Sequence, residues 1–139
     1  MRYVDTSVLI AYLTPEADSA VAKAFMLSVG EPLAISSWSE LELLSALGVK
    51  LRTKQLTDAQ AKDVIDVYMR LVSPQFRRLA VLDADHRNAA LLLSGWQTAL
   101  RAGDALHLAI AAGHGATVFT LDHGMAVAGN ILGISVNLL

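Results

Sequence analysis

The sequence predicts an α/β fold, a parallel sheet with helices on both faces. Short apolar runs of strand length alternate along the chain with longer segments of helical composition, the order that such sheets require. Several of those runs are continuous rather than alternating, as expected of strands covered on both sides. The chain has 139 residues, 54% hydrophobic and only 17% charged. A chain of that length buries roughly 68–70% of its unfolded surface, enough for a core without staples, and its composition excludes intrinsic disorder. There is no internal repeat, low-complexity tract or linker, so residues 1–139 are expected to form one domain.

The elements follow in order. RYVD (2–5) reads as a buried strand closing in a turn. Pro15 is suited to the first turn of a helix that residues 18–28 continue. Gly30 and Pro32 interrupt, and LAIS (33–36) is a second strand. Ser36 or Ser37 then caps the helix WSELELLSALGVKLR, and Thr57 caps DAQAKDVIDVYMRLV, which ends near Ser73-Pro74. LAVL (79–82) is a third strand, and residues 85–100 are helical by their Ala, Leu and Asn content. Gly103 precedes a helix, DALHLAIAAG, that is apolar on nearly every side and should be buried. TVFTLD is a strand ending in an acid, HGMAVAGN a short helix, and GISVNL the last strand.

Composition limits the function classes. No cysteine is present, which removes disulfides, thiolate zinc sites and Cys nucleophiles and suits a reducing cytoplasm. The net charge of −2 does not announce a nucleic-acid binder, although 7 of the 11 basic residues are Arg and a local basic face remains open. Mean hydropathy is +0.46. Even so, the longest stretches without Asp, Glu, Lys or Arg, 105–121 and 123–139, fall short of the ~20 apolar residues of a spanning helix. No membrane association is expected. Asp5 interrupts what would be a signal-peptide core, so a cytoplasmic location is expected. The apolar content also leads us to expect a homodimer.

The acids are placed unevenly. In an open parallel sheet, ligands bind beyond the carboxyl ends of the strands. Asp5 and Asp122 close strands there, Asp104 opens the buried helix, and Glu42 lies early in the helix after LAIS. Two carboxylates 4 Å apart repel by about 4 kcal/mol at an effective dielectric near 20. A cluster of four therefore needs protons or a cation. With hard oxygen donors and no Cys, Mg²⁺ or Mn²⁺ is favoured over Zn²⁺, and such ions commonly handle phosphate groups.

The segments RYVDTSVLIAYL, LAISSWSELELLSALGVK, RAGDALHLAIA and VFTLDHGMA resemble, in order and over the whole length, the four acidic motifs of the PIN-domain family, and most of all those of VapC-type toxins. The resemblance implies a three-layer α/β/α fold with a central parallel sheet of about five strands. It also implies a Mg²⁺- or Mn²⁺-dependent endoribonuclease leaving 5′-phosphate and 3′-hydroxyl ends, and inhibition by a cognate antitoxin. It assigns Asp5, Glu42, Asp104 and Asp122 as catalytic and metal-binding residues, with the Thr6 and Ser7 hydroxyls in support. Glu40 competes with Glu42, but the two lie about 200° apart on a helix, so only one faces the site, and the motif register favours Glu42.

Other residues have plainer explanations. Asp5, Asp104 and Asp122 could each be a turn or helix-terminal residue taken singly. His107, three residues after Asp104, is expected to be a hydrogen-bonded core histidine rather than a support for the metal ligands. His123 is expected in a solvated loop, and His86 carries no signal. Asp83 and Asp85 are expected only to start a helix, with Asp85 as its cap. Trp38 and Trp96 are expected in a core or interface. Lys50, Arg52, Lys54, Arg77, Arg78, Arg87 and Arg101 could contact RNA phosphates or line a solvated face. Two alternatives stay open: a non-catalytic RNA- or protein-binding module, and a hydrolase with Asp5 as aspartyl nucleophile. The latter is weakened by Ser7, which stands where a second Asp is usual, and by the absence of Lys beyond residue 62.

Overall fold

β1 (Arg2–Val4), β2 (Leu33–Ser36), β3 (Arg77–Leu79), β4 (Thr117–Thr120) and β5 (Val136–Leu138) form one parallel sheet in the computed structural model, which describes residues 1–28 and 30–139. The strand order is β3-β2-β1-β4-β5. In register, Tyr3 stands beside Ala34 and Val118, and Val4 beside Phe119. The two-residue period of a strand then sends alternate side chains to opposite faces. Tyr3, Ala34 and Val118 enter one core layer, and Val4, Ile35 and Phe119 the other.

α1 (Thr6–Leu13), α2 (Ser19–Met26) and α3 (Ser37–Arg52) cover the second layer, joined by α4 (Asp58–Val67) and a π-helical turn, Tyr68–Val72. α5 (Asp83–Ser94), α6 (Ala102–Gly113) and α7 (His123–Ile131) cover the first. The result is the three-layer α/β/α sandwich expected. α6 runs through its middle, with every residue from Ala105 to Ala111 buried. α7 comes so close to β5 that a β-carbon at Gly129 would lie 2.2 Å from Val136 Cγ2. Among the described residues, no helix is long and apolar enough to cross a membrane.

Some sequence expectations fail locally. The chain does not turn after Asp5 but enters α1, whose Thr, Val, Ile and Tyr are poor helix formers; burial of Thr6, Val8, Leu9 and Ala11 overrides propensity. Pro15 lies outside any helix, and α2 starts at Ser19. There the Ser19 hydroxyl donates to Thr14 O and accepts from Glu16 N. The α4 pattern loosens into the π turn and a 3₁₀ turn, Ser73–Gln75. β3 is Arg77–Leu79 rather than 79–82, and α5 ends at Ser94, so 95–100 are not helical. Asp85 is not the cap: Leu82 holds that position, and Asp85 reaches back from the first turn to accept from Leu82 N.

Candidate active site

Asp5 sits at the carboxyl end of the central strand β1, where the chain order reverses between its neighbours β2 and β4. Its backbone is extended as α1 begins, and its carboxylate caps the helix by accepting from Val8 N at 3.3 Å. The same oxygen, Oδ1, accepts from Ser7 Oγ at 2.6 Å, and Oδ2 accepts from Thr120 Oγ1 at 2.9 Å. Thr120 Oγ1 in turn accepts from Asp122 N, and Ser7 Oγ from Leu121 N. Two hydroxyls thus stitch the ends of β1 and β4 together around one carboxylate that is only 2% exposed. Burial chiefly pushes the Asp5 carboxyl above its ordinary range, against the opposing effects of His107 and the hydrogen bonds.

Glu42 projects from α3. Its Oε2 accepts from Thr6 Oγ1 at 2.8 Å and from His107 Nε2, on α6, at 2.6 Å. Burial works against the Glu42 carboxylate, but the His107 and Thr6 contacts outweigh it and hold the group below its usual range. On its other side, His107 Nδ1 lies 2.8 Å from Tyr3 Oη, which also meets Ser36 Oγ at 2.8 Å. Burial pushes the Tyr3 phenol up to about 12, so it keeps its proton. With Tyr3 donating to Nδ1, the imidazole proton falls on Nε2, facing Glu42.

Asp104 stands in the first turn of α6, and Asp122 caps α7 by accepting from Met125 N at 3.0 Å. Burial, and after it the charges of Asp122 and Glu42, push the Asp104 carboxyl upward. Asp104 and Asp122 line one hollow of about 350 Å³ together with Arg101 and Gly124. Asp122 also borders a second, of about 330 Å³, with Ser7, Glu16 and Asp18. Among the described residues, no Lys or Arg forms an ion pair with Asp5, Asp104 or Asp122. The donor set is entirely oxygen and short of positive charge, which fits a hard divalent cation. Among the described residues, no three His, Asp or Glu side chains are already arranged to grip one: the acids converge on one rim without a closed ligand shell.

The PIN domain family model matches residues 2–130. The chain belongs to the PIN domain family. Among curated protein sequences, none matches it. Its PIN fold is shared with solved structures at low identity. FitAcB from Neisseria gonorrhoeae is 21% identical, with a TM-score of 0.76, over 98% of this chain and 96% of that one. VapC20 from Mycobacterium tuberculosis, a sarcin–ricin-loop-cleaving toxin, is 19% identical, with a TM-score of 0.72, over 93% and 95%. VapBC2 from Rickettsia felis, bound to a DNA fragment from its promoter, is 16% identical, with a TM-score of 0.69, over 99% and 98%.

The PIN chain brings Asp5, Glu42, Asp104 and Asp122 to the carboxyl edge of the sheet or to the helices bordering it. Glu40 points elsewhere, pairing with Arg78 and accepting from Tyr68 Oη at 2.7 Å. Of the basic residues weighed for RNA, Lys50 is buried against Glu16 and Gln55, so it is not a surface contact. Arg78 is engaged by Glu40 and Ser73, and Arg101 lines the hollow beside Asp104. Trp96 is 91% exposed rather than in the core, whereas Trp38 packs against it. His107 is buried as expected, but its ring faces Glu42. Thr120 escaped the sequence reading; its signal was its position two residues before Asp122, at the inward phase of β4.

Proposed function

We propose that this PIN-domain protein is a divalent-metal-dependent endoribonuclease and the toxin of a toxin–antitoxin pair. The observation that carries this is the placement of four carboxylates, from the end of β1, α3, α6 and the β4–α7 junction, along one edge of the sheet, where the charges of Asp122 and Glu42 bear on Asp104 and, among the described residues, no Lys or Arg forms an ion pair with Asp5, Asp104 or Asp122. Asp5, Asp104, Glu42 and Asp122 would hold Mg²⁺ or Mn²⁺. When bound, the ion supplies charge neutralisation and Lewis-acid activation of water and of the scissile phosphodiester. The protein's own part is orientation. Ser7 and Thr120 fix both oxygens of Asp5, and the α1 amino end anchors it. Arg101 stands beside Asp104, where it can meet a phosphate of the substrate.

The fold shared with VapC20, a sarcin–ricin-loop-cleaving toxin, supports RNA as substrate. The toxin–antitoxin proteins among the structural neighbours support an antitoxin partner. Exposed Leu41, Leu44, Met69 and Leu71 offer such a partner, or a second copy, an apolar surface. The test is cleavage of RNA by purified protein with Mg²⁺ or Mn²⁺, with EDTA and Asp5→Asn controls. Products with 5′-phosphate ends that vanish in both controls are expected. Equal cleavage by Asp5→Asn would defeat the assignment, and no cleavage with either ion would leave a binding module.

A further inference from the structure

We propose that Gly103 and His107 are positioning residues that together set the Glu42 carboxylate: His107, with Thr6, captures one oxygen, and the bare Cα of Gly103 leaves the space the other occupies. The inference rests on the cation-dependent reading above. A glutamate side chain on a helix has several rotamers, and holding one costs conformational entropy. Here Oε2 is held twice, by Thr6 Oγ1 at 2.8 Å and by His107 Nε2 at 2.6 Å. His107 is itself held by Tyr3 and is 1% exposed, so its ring cannot swing away. With Oε2 held, Oε1 is directed at Gly103, closer to the position of a β-carbon there than van der Waals contact allows. A Cβ built on Gly103 would sit 2.8 Å from Oε1 and 3.4 Å from Trp38 Cζ2.

The carboxylate is therefore seated between the imidazole and the first turn of α6, one residue from Asp104. This contact accounts for glycine at a helical position where alanine has the higher propensity. It also explains why a histidine is buried in the apolar run Ala105–Ala111 of α6. Both residues act through Glu42; neither needs to touch substrate.

Gly103→Ala separates positioning from stability, because the substitution should favour the helix while forcing Glu42 off its seat. Removing a residue that orients a ligand typically weakens cation binding 10–100-fold. Mn²⁺ alone, titrated by calorimetry into wild type, Gly103→Ala, His107→Gln and the control Gly95→Ala, reads this directly. We expect binding weakened at least tenfold in the first two variants and unchanged in the control. In the metal-free proteins, the hydrogen-bonded His107 Nε2 proton should move in the NMR spectrum of Gly103→Ala and stay in place in Gly95→Ala. Gly103→Ala that folds, keeps that resonance and binds Mn²⁺ within twofold of wild type overturns the inference alone. Wild type that binds no Mn²⁺ overturns the cation reading and this inference with it.

Discussion

Asp5 gives the sharpest test, because it carries two separable effects. Its carboxylate is almost fully buried, pairs with no Lys or Arg among the described residues, and accepts from Ser7 Oγ, Val8 N and Thr120 Oγ1. Burial raises its pKa in the folded chain above the value of 3.8 that it has when exposed. The folded state then holds its proton more tightly than the unfolded one. Its contribution to stability is present in full below the unfolded pKa and is lost as pH rises through the folded pKa. Asp5→Asn cannot ionise, yet its amide keeps an acceptor for Ser7 and Val8 and turns a donor toward Thr120. Urea melts in EDTA should show Asn gaining on wild type as pH rises from 3 and levelling off above the folded pKa. Asp5→Ala lacks the acceptors as well. A lost helix cap costs about 1 kcal/mol, and a stranded buried donor about 1–3 kcal/mol. Ala should therefore lie about 2–4 kcal/mol below Asn at every pH. At about 3–4 °C per kcal/mol for a domain of this size, that is a fall in Tm of roughly 6–16 °C. If the Asn–wild-type difference is flat from pH 3 to 8, the desolvation argument is wrong. If Ala and Asn melt together, the hydrogen-bond argument is wrong.

Two further outcomes test the frame around the site. Gly129→Ala should destabilise by about 1–3 kcal/mol in urea melts, because its β-carbon collides with Val136 and β5 must shift; Val136→Ala on that background should recover part of the loss, and a lone Gly129→Ala that is stabilising would show the α7–β5 contact to be looser than described. Glu40 is held below its ordinary range, chiefly by Arg78, so its stabilisation is present above its unfolded pKa of 4.5 and is lost as pH falls through its folded pKa. Glu40→Gln should thus lower stability at pH 7 by about 0.5–1 kcal/mol, the scale of a part-exposed ion pair, with the gap closing in acid. A gap that persists at pH 2 would point to packing instead of charge.

The sequence showed most where local rules and the final environment agree. LAIS and TVFT form strands, with Leu121 and Asp122 falling beyond the second, Ser36 and Thr57 cap helices by short-range hydrogen bonds, and α6 is too apolar to lie anywhere but inside. It failed where distant contacts outweighed local preference. A turn is expected after Asp5, yet the poor helix formers of residues 6–13 become α1 because the sheet and the neighbouring helices bury them. Lys50 looks like a surface charge, and Glu16, 34 residues away, draws it inside.

The amino-acid order alone placed Asp5 at the end of a strand and Asp104 at the start of a helix, since both follow from short-range pattern. It could not settle what surrounds each one. That Asp5 is held by Thr120, 115 residues on, and Glu42 by His107, 65 residues on, was decided by the tertiary structure. A parallel sheet joins strands through long crossovers, so the groups that tune a carboxylate arrive from chain segments that carry no local mark of their partner.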